Sequence, residues 1–448
     1  MPRSKPCLKT LLTKKRILSH KIHTQQLSYH YYCSFIDQAQ LSLFKQWVKK
    51  KDLFKKLKQT IQGNVVNPTE KKAATHHQLR NPNHTSLYQQ ELKKLDSFIK
   101  NIDPKNQISN VVQIGTGGCY LGPKAIIESL KNNQTIRTPY FISNGDPTEL
   151  QSCLNQINIK KTFFIIATKS GTTLETLTNY KQLLKIAKEK NIDISNQLII
   201  ITDQKSPLNN PKKFKHLFFI DHTIGGRFSA TSMMGMVILA LTISFKTVKE
   251  LLKGAHEMDQ YTLNEQRISH NMTLLDACNS IWQAQTLKHP IEAIISYKEE
   301  LNHLPTHIQQ LQCESLGKNT SISNTPLKKQ TTPFITTGTG TLCQHSFFQF
   351  LQQSPFTIPV QFISTKKSPL NTQLIAQMHT LALGKKTNIP HTTLPGNRPS
   401  TALIIDKQSP YAIGQLLSFY ENKTTIMGIL TNTNPYDQPG VEWAKEIT

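Results

Sequence analysis

From Ile108 onward the chain alternates short runs of β-branched and aromatic residues with longer stretches of helical spacing. VVQIG, YFISNGD, FFIIAT, QLIIITD and LFFID read as successive strands, with helical segments such as KAIIESL and LETLTNYKQLLKIAKE between them. Few arrangements satisfy that alternation. It predicts a doubly wound parallel α/β sheet with ligand sites at the carboxyl ends of its strands. After the amphipathic TVKELLKGAHEMDQYTL, a second series (IEAIISY, PFITTGTGT, VQFIST, ALIID) repeats the theme. Two three-layer αβα units therefore follow, closely packed with a cleft between them. The expected division is a helical and loop segment over 1–100, a first α/β domain over 101–247, a second over 248–432 and a C-terminal arm over 433–448.

The sharpest local feature is Phe163–Thr176, where an apolar strand stops in the hydroxyl-rich loop Thr168, Lys169, Ser170, Gly171, Thr172, Thr173. A helix follows at once. Free backbone N–H groups and the positive end of the helix dipole suit a phosphate dianion there. The same residues are equally compatible with an ordinary capped turn. IGTGGCYLGP, at 114–123, fits neither the P-loop nor the GxGxxG spacing and reads as a tight turn where backbone approaches a ligand. Arg227 in IGGRFS reads equally as a surface cation or as a group that stabilises an oxyanion, and Glu314 in QQLQCESLGK as a solvated carboxylate or as a general base, with Gln310 one helical turn earlier. His345 precedes an aromatic run, and Lys445 lies near the chain end.

Charge narrows the partners. Fifty-three Lys and Arg against 28 Asp and Glu give a net charge of +25. The cations are spread along the chain without a nucleic-acid-binding motif, so the expectation is at most a non-specific affinity for polyanions. The longest apolar run, Met233–Phe245, is too short to span a bilayer and reads as a buried helix. Seven scattered cysteines, none in CxxC spacing, point to a reducing cytoplasm and away from zinc. Seven Lys and Arg precede the first acidic residue, Asp37, in what reads as a basic N-terminal extension.

Taken together, the segments NPTEKKAATHHQLR, IGTGGCYLGP, ATKSGTTLET, GGRFSATSMMG, LLKGAHEMD, QQLQCESLGK, GTGTLCQHSF, LIAQMHTLALGK, PGNRPS and NPYDQPGVEWAK resemble the glucose-6-phosphate isomerase family, in the same order. The resemblance implies two sugar-isomerase (SIS) domains and a cofactor-free, metal-free homodimer that interconverts glucose 6-phosphate and fructose 6-phosphate through a cis-enediol. Glu314 matches the base that moves a proton between C2 and C1, and Arg227 the arginine that stabilises the enediolate. His345, supplied across the dimer interface, and Lys445 match the ring-opening pair. Gly118, Cys119, Thr168, Lys169, Ser170, Thr172, Thr173, Gln310 and Gln438 match substrate-contacting positions. Cys119 stands where serine is usual, Leu316 where asparagine is usual and Lys72 where arginine is usual. A broader isomerase accepting mannose 6-phosphate and a non-catalytic sugar-phosphate sensor are the competing readings.

Overall fold

The apolar runs form strands, and the hydroxyl loop falls where the strand order of the first sheet reverses. The structure, a computed structural model, describes residues 7–84, 87–131 and 135–443. An N-terminal part carries β1 (Lys21–Thr24), β2 (Leu27–His30), β3 (Val65–Asn67) and β4 (Lys72–Ala73). Then come β5 (Asn110–Ile114), β6 (Thr138–Ile142), β7 (Thr162–Ala167), β8 (Leu198–Thr202) and β9 (His216–Phe219). These five make an all-parallel sheet in the order β6-β5-β7-β8-β9. β7 and β8 are buried at every position, as parallel strands covered on both faces must be. The chain leaves β5 in one direction and returns to β7 in the other, so the crevice between their carboxyl ends is the switch point.

The second sheet takes β10 (Ile291–Ser296), β11 (Phe334–Thr339), β12 (Val360–Thr365) and β13 (Ser400–Ile405) as its parallel part. Its full order is β1-β2-β13-β12-β10-β11. Here the structure corrects the sequence expectation of helix and loop before residue 100. The β1–β2 hairpin extends this sheet through antiparallel pairing of β2 with β13. Each hairpin strand has only four residues, and the turn between them places Gln25 at a φ of 47°. Ile22, Leu27 and Tyr29 are buried there. Four-residue strands carry too little periodicity to be read alone, and the edge of β13 supplies the missing partner.

A second correction concerns the glycine segment, because its helix begins at Gly118 and runs to Leu130 with Pro123 inside it. A proline there cannot donate to the carbonyl of Cys119, four residues back. Gln113 Nε2 donates to that carbonyl instead, at 2.7 Å. The apolar helix Met233–Thr242 is buried at every position, as expected.

The helix Pro410–Thr431 is buried along most of its length and takes Glu421, Asn422 and Lys423 into the core. Lys423 Nζ lies 2.7 Å from Asp276 Oδ2. Arg80 grips Asp259 with two bonds of 2.6 and 2.8 Å and also donates to Glu421. Asp259 accepts from Ser418 and Asn422 as well. Removing one partner of such a buried network strands the others, so Asp259→Ala is expected to lose about 3–5 kcal/mol. A lowered urea midpoint checks this, and an unchanged midpoint would show that the network relaxes freely.

Candidate active site

Three loops meet at the switch point, each shaped by a local constraint. In the first, after β7, Thr168 Oγ1 lies 2.9 Å from Thr173 Oγ1 and accepts from the Gly171 N–H at 3.2 Å. Gly171 has a φ of +71°, and a Cβ there would lie 2.0 Å from Ser206 Oγ, so only glycine fits without strain. Ser170 Oγ accepts from the Thr172 N–H and hydroxyl. The helix Leu174–Glu189 then starts at Thr173 with no side-chain cap, which leaves its first-turn N–H groups open to an anion. Ser170 and Thr173 line a cavity of about 510 Å³, together with Gly118, Cys119, Lys169 and Gln438. Thr168 is buried behind the loop.

Burial pushes the Cys119 thiol up to about 11, with the Lys169 backbone N–H opposing. At neutral pH the group is therefore a protonated, weak donor on the cavity wall. The Lys169 ammonium donates to the carbonyls of His222 and Ile224 at 2.8 and 2.7 Å. It ties the hydroxyl loop to the turn that leads into Arg227. Burial lowers its pKa, and Lys72 adds to that effect.

The second loop ends at Gly118, where a Cβ would lie 2.0 Å from the Gly226 carbonyl oxygen. This absence of a side chain lets the third loop, Gly225–Phe228, pack directly on the helix start. Arg227 is thereby buried to 1% exposure, and all five of its N–H groups are engaged. Nε donates to Ser315 Oγ at 2.6 Å; Nη2 donates to the carbonyls of Pro435 and Asp437 at 2.7 and 2.9 Å. Nη1 donates to Glu314 Oε1 at 3.2 Å and to Gln438 Oε1 at 2.7 Å. Burial lowers the arginine's pKa, and Glu314 and Asp437 oppose this.

Glu314 and Gln310 share the helix Leu304–Leu316. The Glu314 side chain keeps 28% of its surface exposed, so its carboxylate is accessible. Gln310 is half-buried and lines neither cavity. Glu314 and Gln438 line a second cavity, of about 770 Å³, which meets the first at Gln438. Gln438 is thus common to both cavities, and its bond to Arg227 ties the guanidinium and Glu314 to the wall that carries the hydroxyl loop.

Other expected residues stand apart. His345 is exposed at the end of the short helix Gly340–Gln344 and lines neither cavity. Lys445 lies outside the described residues. Leu316 is fully buried, so this departure from the usual asparagine sits in the core and away from the cleft wall. Sequence reasoning passed over Ser315, Lys318 and Asp437, which hold Arg227 or the segment beside it. Ser315 and Asp437 each adjoin an expected site residue, and Lys318 follows Glu314 by four; those spacings are the signal that could have found them. Among the described residues no cluster of His, Cys, Asp and Glu could hold a metal ion, and no helix is long and apolar enough to cross a membrane.

Comparison with known proteins places this geometry. The sequence profile of the family described as phosphoglucose isomerase matches residues 30–448. A glucose-6-phosphate isomerase of Borreliella afzelii is 38% identical over 482 aligned residues, covering 98% of this chain and 91% of the relative. One from Treponema denticola is 34% identical over 468 residues, covering 97% and 89%. The crystal structure of a glucose-6-phosphate isomerase from Chlamydia trachomatis superposes with a TM-score of 0.94 at 29% identity, covering 99% of this chain and 92% of the other.

Proposed function

The chain belongs to the phosphoglucose isomerase family, and from that premise we propose that its cleft interconverts glucose 6-phosphate and fructose 6-phosphate with Glu314 as the base. The observation that carries the assignment is the accessible Glu314 carboxylate, 3.2 Å from a buried guanidinium whose other Nη1 partner, Gln438, also lines the cavity of the uncapped hydroxyl loop. The 6-phosphate takes the open helix start, with Ser170 and Thr173 on the cavity wall and Thr168 and Thr172 bracing the loop. That grip fixes the sugar so that C1 and C2 lie over the carboxylate.

Isomerisation is redox-neutral overall, so a single carboxylate suffices to take the proton from C2 and return it to C1. Negative charge develops on the sugar oxygens between the two transfers. Of the Arg227 nitrogens, Nη1 is the one whose present partners, Glu314 and Gln438, are themselves assigned to the substrate. A substrate oxygen exchanges with those contacts, while Nε and Nη2 stay fixed on protein atoms. The enediolate therefore meets a guanidinium already held in place. Gln310, one helical turn before Glu314, is assigned to a sugar hydroxyl on the family resemblance.

Ring opening falls to His345 and Lys445, as in the family. The exposure of His345 away from both cavities supports its delivery to a second copy of the chain. Leu342 and Phe350, 69% and 50% exposed on either side of it, give that copy an apolar surface to cover. Seven free cysteines support a reducing, cytoplasmic setting.

A coupled assay for conversion of fructose 6-phosphate to glucose 6-phosphate tests the activity, and a folded chain without turnover overturns it. The shared site is tested by mixing protomers. Glu314→Gln and His345→Ala are each expected to be inactive alone and to regain about one competent site per heterodimer after subunit exchange. Exchange without any rescue means that each site is complete within one chain.

A further inference from the structure

Lys318 follows Glu314 by four residues, just past the end of the base's helix, and lines the same cavity. An ammonium has three donors. Those of Lys318 go to the Asn434 carbonyl, the Asp437 carbonyl at 2.9 Å and Asp437 Oδ1. Unlike the Nη1 partners of Arg227, none of these acceptors belongs to a residue assigned to the substrate, so Lys318 acts through the segment it holds. Its three acceptors belong to one short segment, which ends at Gln438.

We propose that Lys318 is a positioning residue, clasping Asp437 so that Gln438 is fixed in the cleft while its own charge stays beside Glu314. The inference rests on the reading of Glu314 as the base.

The segment is held from both sides. Asp437 Oδ2 accepts from Thr69 Oγ1 at 2.6 Å, and Asn434 Nδ2 donates to Asn67 Oδ1 at 2.9 Å. Arg227 Nη2 shares the Asp437 carbonyl with Lys318, so two cations converge on one backbone oxygen. Such convergence is tolerable because the Asp437 carboxylate closes the other side, with the Lys318 and Asp437 side chains only 11% and 8% exposed. Gln438 then has little freedom, and its Oε1 meets Arg227 Nη1 at 2.7 Å. Without Lys318, three acceptors each lose a donor, the Asp437 carbonyl keeping only Arg227, and the chain leading to Gln438 loosens.

The clasp also sets the charge around the base. The charged groups facing Glu314 and Arg227 are Lys318 from the helix end, Asp437 from the C-terminal segment and Glu70 from the β3–β4 turn, itself 3.5 Å from Lys72. Lys318 favours the ionised form of a neighbouring carboxylate, and Asp437 disfavours it. Burial lowers the Lys318 pKa, and the Asp437 ion pair opposes this.

The test is the pH profile of kcat/KM for wild type, Lys318→Met and Asp437→Asn, with Glu314→Gln as control. Lys318→Met is expected to lower kcat/KM by about tenfold to a hundredfold, the effect of a displaced contacting group. Its acid limb moves up, because a cation beside the carboxylate has been removed. Asp437→Asn moves the acid limb down, because an anion has been removed. A purely structural role lowers both rates without driving the limbs in opposite directions. Limbs that stay put, or move the same way, overturn the inference. If Lys318→Met does not fold, Asp437→Asn decides: kcat/KM lowered about tenfold or more together with a downward limb supports the clasp, and undiminished kcat/KM overturns it. Undiminished turnover by Glu314→Gln would instead overturn the base assignment, so the two failures remain distinct.

Discussion

Glu314→Gln is expected to lower kcat by about a thousandfold, within the 10²–10⁴ range that a positioned general base supplies. Glutamine has the same shape and can still accept from Arg227 Nη1 through its amide oxygen, as Oε1 does now. It cannot take a proton from carbon. Because the side chain is 28% exposed at the cavity wall, the exchange neither opens a void nor buries a new polar group. Sugar-phosphate affinity should stay within a few-fold of wild type, since the hydroxyl loop after β7 is untouched. Two measurements decide the matter: turnover in the coupled assay, and exchange of the C2 hydrogen of bound sugar with solvent. Both should fail together in the variant while calorimetric binding persists. Exchange at the wild-type rate would show that another group moves the proton.

The parts of this site that were readable from sequence are those fixed by short-range geometry. The strand ending at Ala167, the hydroxyl loop and the helix starting at Leu174 coincide with the expected segments, because an apolar run, a hydroxyl-rich loop and a 3.6-residue period follow one another without interruption. Strand order could not be read locally, yet it is what brings the loops after β5 and β7 together. The β1–β2 hairpin was missed because its four-residue strands owe their pairing to β13, several hundred residues away. The start of the Gly118 helix was hidden by Pro123, a helix breaker by propensity, whose cost is offset by Gln113 at the freed carbonyl. Lys318 carries no local signal of its role, and only its three long-range acceptors reveal it. Glu421 and Lys423 on a wholly buried helix face break the rule that charge lies outside. They are admitted because Arg80 and Asp276 come to meet them from distant segments.

Arg227→Lys is expected to lower kcat by about 10²–10³-fold while charge at the position is kept, the loss found when one oxyanion donor is removed from a preorganised site. The argument turns on geometry rather than charge. Arg227 makes five directed bonds, and lysine offers three protons on one rotating nitrogen. An ammonium placed to reach the carbonyls of Pro435 and Asp437 leaves Ser315 Oγ, Glu314 and Gln438 without their donor; one placed to reach Glu314 strands the two carbonyls instead. In either position the sugar oxygen meets a cation that must move as charge develops, and preorganisation is lost. KM should change much less, because the phosphate grip rests on other residues, Ser170 and Thr173. Steady-state kinetics on a variant with a wild-type melting profile separates the two parameters. A KM raised with kcat intact would assign Arg227 to uniform substrate binding, and the stabilising cation would then have to be sought elsewhere in the cleft.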